Sequence, residues 1–78
     1  MTFDKVALSD LILKIRNCGE LVGNSDAEDE LVTIEDELRK NEPNRKFIKK
    51  SLLFLKDVAV NIGADMAVQF ITSAMGMC

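Results

Sequence analysis

Between Val58 and Met77 the chain carries a single charged residue, Asp65. A run of that length and character either spans a membrane or forms helix that something else must cover. Its polar residues favour the second reading. Taken with Asp57, the positions Asp57, Asn61, Asp65, Gln69 and Ser73 recur every four residues, one line along a helix that is apolar nearly everywhere else. An Asp near the middle of a hydrocarbon layer is expensive. An interfacial helix would carry Lys or Arg on its polar face, and this one carries none. A soluble, buried helix with one wet edge is the reading adopted, and a small membrane-associating protein using residues 58–77 is the alternative.

The rest of the chain reads as helix too. Leu8, Leu11, Ile15, Cys18 and Val22 are spaced three and four apart, which puts them on one face of a helix over about 3–22, with Gly23-Asn24 as its stop. Ser25 with Glu28 has the spacing of a capping box, and Asp26, Glu28, Asp29 and Glu30 crowd the first turn, where the helix dipole favours negative charge. A second helix follows over about 26–41, with Ala27, Leu31, Ile34 and Leu38 facing inward. Pro43 ends it, and either Pro43 or Asn44 can open the third. From there Ile48, Leu52, Leu55, Ala59, Ile62 and Met66 alternate by four and three, so the third helix is read over about 44–76. Gly63 is its one doubtful point. A break there, with Asp65 capping a fourth helix, competes with a continuous helix, and continuity is preferred because the polar line keeps its phase through Gly63.

Seventy-eight residues hold one domain, so residues 1–78 are read as a single all-α unit: a three-helix antiparallel bundle with a long C-terminal helix. The lengths do not match. At 1.5 Å per residue the helices would span roughly 30, 24 and 48 Å, which leaves the third uncovered from about Ile62 onward. An apolar face of that size is rarely left open to water, so completion by oligomerisation, as a dimer or tetramer, is expected, with another protein as a second kind of partner. The expected interface is Ala59, Ile62, Gly63, Met66, Ala67, Phe70, Ile71 and Ala74. Within it Ala59, Gly63 and Ala67 are small residues four apart that allow close approach.

Composition narrows the function classes. The chain has no His, the commonest general base and metal ligand, and it has no phosphate-binding loop or nucleophile motif, so no catalytic site, metal or cofactor is expected. Cys18 and Cys78 are too far apart in sequence for a metal-ligand spacing. Seven of the ten cations, from Arg39 to Lys56, cluster around the second turn, but seven carboxylates from Asp26 to Glu37 occupy the adjacent helix. Mutual neutralisation explains both clusters, and with a net charge of −3 no nucleic-acid partner is expected. Phe47 and Phe54 are read as core. Charges at Asp4, Lys5, Asp10, Lys14, Arg16 and Glu20 argue against a secretory signal, so a cytoplasmic location follows by default.

The segment Leu38-Arg39-Lys40-Asn41-Glu42-Pro43-Asn44-Arg45-Lys46-Phe47-Ile48-Lys49-Lys50-Ser51-Leu52, leading into the Ala- and Gly-containing helix, resembles C-terminal helical tails of uncharacterised bacterial proteins, some of them associated with phage defence. The resemblance covers about half the chain and brings no catalytic signature. It implies a domain taken from a larger protein whose helices serve assembly or docking. Together these readings point to a non-catalytic oligomerisation or protein-docking module.

Overall fold

The computed structural model describes residues 4–77, and in it the chain forms four helices: α1 (Lys5–Asn17), α2 (Ser25–Leu38), α3 (Arg45–Ile62) and α4 (Asp65–Gly76). Phe3, the expected start of the first helix, and Cys78 lie outside the described residues.

Each boundary has a local cause. Asp4 caps α1, its carboxylate accepting from the Ala7 N–H at 2.9 Å. Leu8, Ile12 and Ile15 then face inward. The helix stops at Asn17, five residues before Val22, because Gly19 and Gly23 both take left-handed backbone, at φ 79° and 85°. That loop shifts the phase, so Leu21 is buried and Val22 is exposed. At α2 the capping residue is Asn24, whose side chain accepts from Ala27 N–H at 3.0 Å, while Ser25 is already helical. The cap sits one residue earlier than the Ser25–Glu28 box, and Ala27, Leu31, Ile34 and Leu38 are all buried as expected. Asn44 caps α3 by accepting from Phe47 N–H at 3.0 Å.

The three-helix reading is corrected at Gly63, where the third helix breaks. Gly63 has φ 75°, its N–H donates to Val60 O at 3.2 Å, and Ala64 N–H donates back to Ala59 O at 2.9 Å. This pair of bonds is a Schellman stop, closed by contact-sized apolar residues at Ala59 and Ala64, both buried. The polar line kept its phase because a four-residue spacing looks the same in one helix or in two whose polar edges both face out. Asp57, Asn61, Asp65, Gln69 and Ser73 are all exposed.

The turn resolves the length mismatch. α4 folds back between α3 and α1, so the helix backbones are neighbours in a ring, α1–α2–α3–α4–α1. Leu8, Ile15, Ile34, Ile48, Leu52, Leu55 and Ile71 fill its centre. The apolar surplus after Ile62 is covered mainly by the chain itself.

Candidate interaction surface

The eight residues expected at an interface separate into two groups. Ala59, Ala67, Ile71 and Ala74 are fully buried inside the chain's own bundle, and Phe70 is half-buried against that core. Ile62 and Met66, on either side of the Gly63 turn, are 48% and 50% exposed, and Gly63 is itself exposed. The small residues Ala59 and Ala67 allow α3 and α4 to approach each other within the chain. Of the eight expected interface residues, the exposed ones are Ile62, Gly63 and Met66.

The apolar residues that sequence reasoning placed in the core and the structure does not are Phe47 and Phe54, 39% and 49% exposed. The signal was present, since both fall off the Ile48–Leu52–Leu55–Ala59 stripe. Seven residues apart, they share one side of α3, the side on which Ser51 is buried. Glu35 of α2 bonds to Arg16 of α1, while Glu37, on the other flank of α2, bonds to Asn44 at the start of α3. The hand this gives the ring makes the Phe47–Phe54 side the flank nearest α2 and puts Arg45, Lys49 and Lys56 on the flank nearest α4. Leu53 and Val60, also half-exposed, share a third direction on α3. Exposed large apolar side chains are therefore concentrated along α3 and its corner with α4.

The charges are also placed differently from the sequence reading. The link between α2 and α3 is held by Glu37, only 6% exposed: one carboxylate oxygen accepts from Asn44 N–H at 2.9 Å and the other from Lys40 Nζ at 3.0 Å. These two bonds, the Asn44 backbone first, hold the Glu37 carboxyl below the usual carboxylate range against the opposing effect of burial. So pinned, α2 and α3 run antiparallel, and the acidic start of α2 lies at the opposite end of the bundle from the basic start of α3. Lys5 Nζ donates to Lys40 O at 3.1 Å, which places Lys5 at that basic end as well. The carboxylates that do pair are Glu35 with Arg16 at 2.6 Å, Asp36 with Arg39 and Glu37 with Lys40. Among the described residues no lysine of α3 pairs with a carboxylate of α2. Mutual neutralisation of the two clusters is therefore partial: Arg39 and Lys40 pair with Asp36 and Glu37, while the acidic start of α2 and the lysines of α3 stay apart. The bundle is polar along its length.

The Arg16–Glu35 pair crosses the α1–α2 seam. Beside it lies an open groove of about 530 Å³, floored by Ile12, Leu13 and Leu38 and edged by Lys5, Asp10 and Arg39. Among the described residues no three Cys, Asp or Glu side chains are grouped to hold a metal ion. No helix is long and apolar enough to cross a membrane. In comparison with known proteins, no family model, curated protein or solved structure matches the chain.

Proposed function

We propose that this chain is a non-catalytic helical module for homo-oligomerisation or protein docking. The observation that carries the reading is that six large apolar side chains stay 39–57% exposed on α3 and its corner, with Phe47 and Phe54 on one side, Leu53 and Val60 on another and Ile62 and Met66 at the Gly63 turn. A small bundle gains little by keeping six such groups in water, and paired exposed apolar side chains such as Phe47 with Phe54 are what a docking partner covers. The core, by contrast, is complete, so the module folds first and associates afterwards. The absence of His from the sequence supports the non-catalytic part of the reading.

Sedimentation velocity in detergent-free buffer tests it. A discrete dimer or tetramer that dissociates on dilution is the expected result, and Phe47→Ser with Phe54→Ser should shift the equilibrium toward monomer with helicity unchanged. A monomer at the highest attainable concentration overturns self-association. If a protein that is insoluble without lipid becomes dispersed on adding vesicles, the membrane-associating alternative holds instead.

A further inference from the structure

We propose that the outer face of the α2–α3 pair is a self-complementary dimer surface, on which a second copy lies antiparallel across a two-fold axis. The inference rests on the oligomerisation reading above and gives it a geometry.

Three observations point to a second copy. The face has opposite charge at its two ends. Lys46 and Lys50, in the first two turns of α3, are exposed and pair with no carboxylate among the described residues. At the far end Asp57 of α3 and Asp26 and Asp29 of α2 are exposed and equally without an ion pair there. Along α3, Asp57 is about 16 Å from Lys46 and about 10 Å from Lys50, at or beyond the screening distance of about 8–10 Å, so the two ends neutralise each other only weakly within one chain. A copy turned end for end brings each lysine pair over the other chain's aspartates. A two-fold makes this happen twice with the same residues.

The middle of the face is apolar. Phe54, 49% exposed, sits between the charged ends and near the proposed axis, with Phe47 toward the basic end. Two Phe54 rings meeting there would form a dry centre inside a charged rim, the usual anatomy of an interface. The area is also adequate. The bundle measures 32 × 21 × 19 Å between Cα extremes, and its long face, with side chains added, approaches the ~800 Å² per partner of a stable dimer.

The test uses four proteins: the intact chain, Phe54→Lys, a basic-end variant (Lys46→Glu with Lys50→Glu) and an acidic-end variant (Asp26→Lys with Asp29→Lys). Circular dichroism first checks that each remains helical. Asp29→Asn with Asp57→Asn replaces the acidic-end variant if reversal at the start of α2 unfolds it. The intact chain should dimerise in about 20 mM salt and weaken roughly tenfold or more by about 500 mM. Phe54→Lys and each charge variant alone should weaken dimerisation at least roughly tenfold. The two reversed variants mixed should form a heterodimer, and the neutral variant should lose the salt dependence. A dimer indifferent to salt, to Phe54→Lys and to the charge variants overturns this face while leaving oligomerisation intact. A monomer in low salt at high concentration overturns both.

Discussion

Glu20, in the loop after α1, reaches across the bundle so that its carboxylate accepts a hydrogen bond from the Ala67 backbone N–H at 2.8 Å. Ala67 is the third residue of α4, a helix whose own capping position is Ala64 and which makes no side-chain cap bond. A residue 47 positions away in sequence thus does for α4 what Asp4, Asn24 and Asn44 do locally for the other three helices. The bond ties α4 to the α1–α2 loop and fixes where the helix starts after the Gly63 turn.

Removing that acceptor should loosen α4 specifically. Glu20→Ala is expected to lower the unfolding free energy by about 1 kcal/mol, with the loss of amide-exchange protection greatest in the first turn of α4. Glu20→Gln, which keeps an acceptor, should recover most of it. Equal protection of Ala67 N–H in the Ala variant would show that the bond contributes nothing.

Gly63 offers a test of sign. In a continuous helix Gly63→Ala would raise stability, because alanine is the better helix former. With Gly63 at φ 75°, an alanine meets no neighbouring atom but is forced into left-handed backbone, so a loss of about 1–2 kcal/mol is expected in urea titration.

Burial separates two residues that the sequence places in one interface. Ile71→Ala, at a fully buried position, should cost about 2–5 kcal/mol at any protein concentration. Met66→Ala should change the stability of the monomer by less than about 0.5 kcal/mol. Melting curves at two concentrations distinguish the fold's requirement from a partner's.

Acid should act first at the α2–α3 link. The carboxyl of Glu37 titrates lower in the folded chain than in the unfolded one, held down by Asn44 N–H and Lys40. Its contribution is therefore complete above the ordinary carboxylate range, near pH 4.3, and is lost as pH falls below that through the folded value. Glu37→Gln is expected to be less stable at neutral pH and to show a shallower decline between about pH 5 and 3. An acid-unfolding profile identical to that of the intact chain would exclude Glu37 as the responsible group.

Helix content and most of the core were legible in residue spacing. Ile48, Leu52, Leu55 and Ala59 are buried as their alternation implies, as are Ala27, Leu31, Ile34 and Leu38, because a 3.6-residue period has only one side to turn inward. Ile62 and Met66 of the same alternation flank the Gly63 break and are exposed. Capping chemistry was read correctly in kind and displaced by one residue at α2, where Asn24 and Ser25 are competing caps with nearly equal preference. The phase of residues after Gly19 was not legible. The left-handed Gly19 and Gly23 reset the chain direction there, so the α1 stripe does not carry on to Val22.

The sequence alone determined that this chain is helical, where its polar edges run and which residues turn inward in α2 and in the stretch of α3 up to Ala59, since these follow from local spacing and local hydrogen-bonding needs. Tertiary structure decided whether Gly63 is a packing site or a stop, because that depends on whether folding α4 back buries more apolar surface than an extended helix could, with Glu20 available to cap it. It likewise decided the balance of charge. Clusters adjacent in sequence neutralise each other only where they end up within a screening length. The antiparallel pairing of α2 with α3 keeps Asp36 and Glu37 beside Arg39 and Lys40 but sends the acidic start of α2 and the basic start of α3 to opposite ends.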